Sequence, residues 1–390
     1  MRSEQDARGV RFLFKEAGRL LGNFSSARFI TFFGKTMATL TDFFDVNRPG
    51  PVRGIRSILR GIGQVMFQEN AWTGLLFLMG IFWGAYAEET PQVAWGALTG
   101  AVVSTLTGWA MVQKPADGLA GLWGFNGTLV GCAFPTFLGT TWLMWLCLIL
   151  CAALSTIVRR GFNNVMAPWK VKSLTFPFVF TTWVFLLASR MFAGMPPIGE
   201  ATLELPGEVV TAFSHGFGNL VTYWLKGISQ VFLINDWGTG IFFLVALFIC
   251  DRWSCLWAAV ASAISLAVVC LFHASGSDIA DGLYGFSPVL TGIAIGSVFY
   301  KTTNWKIAAL TVLAIVITVF VQAAMNAFFK PWGLATLTGP FCITTWLFLL
   351  PAYKLSNIFS PHSEWRFSEQ DFEALRHPEQ LKKSNKESKS

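Results

Sequence analysis

Hydrophobic residues in this chain come in blocks rather than in alternation. Residues 71–87, 93–112, 137–158, 174–189, 239–250 followed by 254–272, 306–328 and 334–351 are runs rich in Leu, Phe, Trp, Ala and Gly. They are near or beyond the roughly 18–20 apolar residues that cross a bilayer. Runs of this length without a period of two predict helices, and in lipid only helices and closed barrels satisfy their own backbone groups. Mixed and polar sequence flanks the blocks. Residues 1–56 set Arg and Lys among Phe and Leu, with no continuous apolar core of a signal peptide. Residues 354–390 end KKSNKESKS and predict a solvated, disordered tail.

Two segments, 117–134 and 278–299, are too Gly-rich and too interrupted for straight spans. Each opens on an aspartate, Asp117 or Asp278, suited to cap a helix start. They predict re-entrant elements. Irregular backbone at membrane depth is tolerated only where it is buried in protein or lines a watery cavity, so these segments either face a permeation path or use their glycines for close helix packing.

The chain also repeats itself. LTFPFVFTTWVFLL (174–187) matches LTGPFCITTWLFLL (337–350) at ten of fourteen positions, pairing Thr175 with Thr338, Pro177 with Pro340 and Trp183 with Trp346. GFNGTLVG (124–131) pairs with GFSPVLTG (285–292), and GIGQVMF (61–67) with GISQVFL (227–233). Three signals in the same order divide the chain into an N-terminal segment (1–56), a first transmembrane repeat (57–195), a connection (196–222), a second repeat (223–353) and the tail (354–390). Repeats with interrupted hydrophobic segments at matching places point to a transport site at their interface, and an odd number of spans per repeat requires the second to be inverted.

Composition narrows the function. The chain of 390 residues is 53% hydrophobic and only 13% charged, against about a quarter charged in soluble domains. The net charge of +7 is concentrated at the N-terminus, where residues 1–60 carry 11 Lys/Arg against 5 Asp/Glu. That distribution argues against a nucleic-acid partner. It puts the N-terminus on the cytoplasmic side by the positive-inside rule, with Arg159, Arg160, Lys170 and Lys172 marking a second cytoplasmic connection at 159–173. An even span count brings the tail to the same side. The seven cysteines lie in apolar blocks without C-x-x-C spacing, and the four histidines are scattered, so neither a disulfide framework nor a metal site is expected. No cofactor is indicated.

The candidate chemistry is neutral. Gln64 and Gln230 occupy equivalent positions and offer both donor and acceptor without a buried charge; they either grip a polar solute at the two mouths of a pore or hold helices together. Phe125 and Phe286 stand in the interrupted segments, four residues before Leu129 and Leu290 on the same helical face. Phe67 joins them as an aromatic with a more common core role open to it. Thr175 and Thr338 precede prolines by two residues, where a displaced carbonyl can accompany the hydroxyl, or where the hydroxyl can serve its own backbone. His273, Asp281, Glu88 and Glu89 have no repeat-matched partners of complementary chemistry. Nothing converges as nucleophile, base and orienter, so no catalytic residue and no enzyme is expected. From its residues the chain is a two-repeat membrane channel or transporter for a small neutral solute. Water, glycerol and ammonia all fit, and a non-transporting scaffold or sensor is the other class.

GLWGFNGTLVG (121–131), GLYGFSPVLTG (282–292), KSLTFPF (172–178), ATLTGPF (335–341) and GQVMFQEN (63–70) together resemble the urea transporter family. The resemblance implies an all-α polytopic membrane protein of two inverted repeats, each with five transmembrane helices and one tilted re-entrant helix, around a central pore. It implies a homotrimer in the plasma (inner) membrane, in contact with lipid, that conducts urea down its gradient without ion coupling. Gln64 and Gln230 then stand at the ends of the filter, Phe67, Phe125 and Phe286 form the faces of a narrow slot, Leu129 and Leu290 line its middle, and Thr175 and Thr338 offer hydroxyls to urea in transit. Leu233 departs from the family's usual Phe, and Ser287-Pro288 departs from the Asn126-Gly127 of the first half. The slot is therefore expected to be asymmetric. Residues 1–56 would lie along the inner membrane surface or form a soluble cap.

Overall fold

In a computed structural model, residues 51–111, 115–169, 171–198, 212–214, 216–300, 302 and 305–351 are described. The expectations for 1–50 and for the tail from 354 onward lie outside them, as does most of the 196–222 connection.

The described residues are mostly helical and carry no named strand; an isolated bridge joins Leu138 to Pro197. The first half contains α1 (Pro51–Gln64), α2 (Ala71–Ala87), α3 (Pro91–Met111), the short α4 (Pro115–Leu119), α5 (Gly124–Phe137), α6 (Trp142–Met166) and α7 (Phe176–Ser189). The second half contains α8 (Phe217–Ser229), α9 (Trp237–Cys250), α10 (Arg252–Leu271), the short α11 (Gly276–Ala280), α12 (Phe286–Ile293), α13 (Trp305–Phe329) and α14 (Gly339–Leu349). The order recurs, and α12 with the π-helical turn Ala294–Phe299 that continues it matches the length of α5. The unusual backbone recurs as well: the left-handed residues Phe67, Gly121 and Leu174 have repeat partners Leu233, Gly282 and Leu337 that are left-handed too. Bulky residues in that region are costly, about 1–2 kcal/mol each, so their duplication marks a backbone path that the fold imposes.

Among the described residues, three helical stretches are long and apolar enough to cross a bilayer: Trp142–Trp169, Arg252–Leu271 and Trp305–Trp332. Phe217–Phe232 and Trp237–Cys250 form a fourth candidate bent by 72°. At 1.5 Å per residue, α7 and α14 reach only about 21 and 16 Å, and both start below the surface, at Thr175 and Thr338.

The halves are inverted relative to one another. Thr73, near the start of α2, donates to the carbonyl of Ala246 near the end of α9 (3.1 Å), and Thr239, near the start of α9, donates to that of Gly80 in α2 (2.8 Å). Thr73 and Thr239 are repeat partners, as are Gly80 and Ala246. Such reciprocal contacts are the mark of a two-fold relation, and start-to-end pairing makes the two equivalent helices antiparallel. Their midpoints, Phe77 and Phe243, are repeat partners too, with ring centroids 5.0 Å apart.

The interrupted segments consist of a short helix, a turn at Gly121 or Gly282 and a longer helix. Asp117 and Asp278 sit inside the first turns of α4 and α11 rather than capping them. The glycines of α5 serve packing: a Cβ on Gly127 would collide with the Gly100 carbonyl and Ser104, and one on Gly131 with the Gly96 carbonyl. The ridge of Gly96, Gly100 and Ser104 on α3 thus lets two backbones meet as small residues do in membrane helix pairs. In the second half Trp257 and Ala261 stand in place of Gly96 and Gly100, so Gly292 and Gly296 of the re-entrant segment fit against larger side chains.

Candidate functional site

The LTxPF segments meet at the centre. Thr175 and Thr338 are the N-cap residues of α7 and α14, yet neither side chain bonds its own helix. Their hydroxyl oxygens lie 2.6 Å apart, both residues are 3% exposed, and the Cys342 thiol is 3.4 Å from Thr175 Oγ1. Atoms related by a two-fold touch only on its axis, so the axis passes between these hydroxyls. A reciprocal pair holds them: the Trp183 indole donates to the Ala335 carbonyl (2.9 Å) and the Trp346 indole to the Lys172 carbonyl (3.0 Å). Trp183 and Trp346 are repeat partners, and each reaches the non-helical lead-in of the opposite LTxPF segment. Leu174 and Leu337, immediately before the threonines, are left-handed with φ of 52° and 51°. Strain of this kind at the residue beside a buried polar pair is characteristic of functional backbone.

Asn126 supports one side only. Its Oδ1 accepts from the Phe178 backbone N–H at 3.1 Å, supplying a cap that Thr175 does not. In the second half Ser287 occupies the position, and its buried hydroxyl has no partner.

Gln64 and Gln230 are at helix ends: Gln64 closes α1 and Gln230 is the C-cap of α8. Gln64 Nε2 donates to the Ala120 carbonyl and Gln230 Nε2 to the Asp281 carbonyl, each at 2.9 Å. These carbonyls are also repeat partners, so each amide ties its helix to the turn that opens the interrupted segment. One turn earlier stand Arg60, 3.9 Å from Glu69, and Lys226, 3.9 Å from Asp281.

The apolar candidates divide. Leu129 and Leu290 are fully buried, on α5 and α12. Phe67 is partly buried and meets the second half edge-on, at 6.0 Å from Phe299 and 5.9 Å from Phe341. Phe125 is buried, with the Arg159 guanidinium 5.6 Å over its ring, and Phe286 is partly buried against the core. Arg159 therefore does not belong to a surface connection. It lies inside α6, 7% exposed, 3.7 Å from Asp117. Its repeat partner is Gln322 on α13, whose amide donates to the Leu283 carbonyl. A polar residue at matching positions inside two long apolar helices was the sequence signal for this site, and the positive-inside argument masked it.

Among the described residues no group of three His, Cys, Asp or Glu is arranged to hold a metal ion. The described site offers amides, hydroxyls, carbonyls and aromatic faces. Such groups can exchange hydrogen bonds with a neutral polar molecule.

The profile of the Urea transporter family matches residues 55–353. Urea transporter 1 of Ovis aries is 30% identical over 330 residues, covering 83% of this chain and 84% of that protein. The protein of the same name from Capra hircus has the same identity and coverage, and that of Mus musculus is 30% identical over 318 residues, covering 80% and 81%. The match spans both repeats and each of the candidate positions above, and the chain belongs to the urea transporter family.

Proposed function

We propose that this chain passes urea down its concentration gradient, through a slot between the two repeats that is centred on Thr175 and Thr338. Family membership supports the substrate and makes the protein a transporter rather than an enzyme. The observation that carries the central position is the 2.6 Å contact of the two hydroxyls: two repeat-equivalent acceptors, buried on the pseudo-two-fold axis and not used for capping, are available to exchange partners with a passing solute.

Urea is flat and uncharged, with four N–H hydrogens and one carbonyl. Phe67, Phe125 and Phe286 hold its plane, Leu129 and Leu290 narrow the path, and the threonine hydroxyls with neighbouring carbonyls accept its edge hydrogens. Gln64 and Gln230 take the solute at the two mouths. Desolvating an amide without replacement costs roughly 2–7 kcal/mol, so bond-for-bond replacement keeps the barrier low. An ion meets no ring of fixed countercharge and pays a much larger dehydration cost.

The same reading assembles the chain as a homotrimer in the plasma (inner) membrane, each protomer with its own pore and both termini cytoplasmic. The exposed Trp142, Trp169, Trp305 and Trp332 at the ends of α6 and α13 suit a lipid interface.

Stopped-flow light scattering on proteoliposomes tests the function, comparing urea, thiourea, acetamide, glycerol and water with and without an ion gradient. Fast urea flux that ignores the gradient is the expected result. Absent urea flux in folded protein would overturn the reading and point to another neutral solute or to a scaffold.

A further inference from the structure

The two aromatic positions of the interrupted segments have different surroundings. Phe125 carries the Arg159 guanidinium over one face at 5.6 Å, and Arg159 is itself anchored 3.7 Å from the Asp117 carboxylate. On the other side of the two-fold, the residue in the place of Arg159 is Gln322, a neutral amide spent on the Leu283 carbonyl. One charge has therefore been built behind one wall of the proposed slot, where the equivalent position behind the other carries a neutral amide.

An aromatic slot has an intrinsic weakness as a filter for a neutral solute. The face of a phenyl ring attracts cations, by about 0.5–2 kcal/mol depending on desolvation. The hazard is greatest for planar nitrogen cations, and guanidinium has nearly the outline of urea. A guanidinium already seated on the back of Phe125 occupies one face of the ring. The opposite face then sees a positive charge through the ring instead of the unopposed quadrupole. The charge also acts in buried surroundings, where it is little screened. Asp117 anchors Arg159 and is the more exposed of the two: its side chain is 30% exposed against 8% for that of Arg159. The pair thus sets the positive group, not the carboxylate, against the Phe125 ring.

We propose that Arg159 is a specificity-determining positioning residue that makes the slot reject planar cations while leaving a neutral solute unaffected, acting through Phe125 without touching the solute. The proposal rests on the reading that Phe125 lines the path.

The test uses the full-length protein in proteoliposomes with the membrane potential clamped at zero, measuring urea and radiolabelled guanidinium uptake side by side. Three variants are compared with the parent: R159Q, which installs the side chain that the second repeat accommodates, R159K, and R159Q/D117N, which removes both charges and serves if R159Q does not assemble. The ratio of guanidinium to urea flux is expected to rise roughly tenfold in R159Q and to return toward the parent value in R159K, which keeps the charge. An unchanged ratio in R159Q or in the double variant overturns the proposal. So does complete loss of urea flux in folded R159Q, which would make Arg159 a structural residue. Leu129→Trp separates the underlying reading: if urea still passes normally in that variant, the lining assignment itself is wrong, whereas a blocked pore together with an unchanged ratio in R159Q removes the cation filter alone.

Discussion

Thr175 and Thr338 stand 163 residues apart in the chain and 2.6 Å apart in space. Each begins a helix without capping it, and each is fixed by the indole of the opposite repeat. Replacing either with Val keeps the shape and removes the hydroxyl. Urea flux is expected to fall about two- to tenfold per substitution, the worth of one hydrogen bond of roughly 0.5–1.5 kcal/mol, with assembly intact on size-exclusion chromatography. Unchanged stopped-flow rates in both variants would remove the threonines from the path.

Leu129 and Leu290 are fully buried on repeat-equivalent helices. Substituting Trp at either position is expected to abolish urea flux while the protein still reconstitutes. Normal conduction would show that these leucines face away from the solute.

The contact of α3 with α5 depends on small residues. Gly131→Val would drive a side chain into the Gly96 carbonyl, and overpacking of this kind costs about 1–3 kcal/mol or more. A clear drop in thermal stability in detergent is expected. Gly54, whose Cβ would meet nothing within 4 Å, supplies the control: Gly54→Ala in α1 is expected to be neutral or stabilising by up to about 1 kcal/mol. Equal stability of the two variants would contradict the packing role.

Trp183 and Trp346 form a reciprocal pair across the repeats. Trp→Phe at each site removes an indole donor and is expected to cost about 0.5–1.5 kcal/mol. Because both bonds hold the same pair of lead-in segments, the double variant is expected to be non-additive in chemical denaturation. Strict additivity would mean that the segments are held independently.

Asp251, at the junction of α9 and α10, is the centre of a hydrogen-bond cluster in the second half. Its Oδ2 accepts from Ser297 Oγ (2.5 Å), Ser254 Oγ (2.7 Å) and Ser254 N (3.0 Å). Burial pushes its carboxyl up, but the bonds from Ser297, Ser254 and the Trp253 and Ser254 backbone outweigh that and hold it below the usual carboxylate range. A depressed folded-state value means that the stabilisation is complete above the unfolded value, about 3.9, and is lost as pH falls through the folded one. Thermal stability is expected to decline below roughly pH 4 in the parent and more shallowly in Asp251→Asn; parallel curves would remove Asp251 as the source.

Much of this architecture was legible in the sequence because it rests on local chemistry. Apolar runs without alternation mean helices in lipid, and the duplicated LTxPF and GF motifs marked two repeats and paired Gln64 with Gln230, Phe125 with Phe286, and Thr175 with Thr338. The block at 71–87 is α2 residue for residue. Other readings failed where two local explanations compete and only packing decides. Arg159 was read as loop because charge usually marks a helix end, but a carboxylate and a phenyl ring let it sit inside α6. Asp117 looked like a cap because capping is the commonest local use of Asp before a helix, and Arg159 claimed it instead. The glycines of α5 suited a pore or a packing seam until α3 supplied the ridge they meet.

By itself the sequence determined the membrane class, the helices, the two repeats and the family, since hydrophobic length and a duplicated pattern are properties of the chain read one residue at a time. Only the tertiary structure decided which equivalent residues touch. The antiparallel pairing of α2 with α9 and the meeting of Thr175 with Thr338 depend on where a two-fold axis passes, and the seating of Arg159 against Phe125 depends on how α6 packs on α5; both are relations between distant segments that no local spacing encodes.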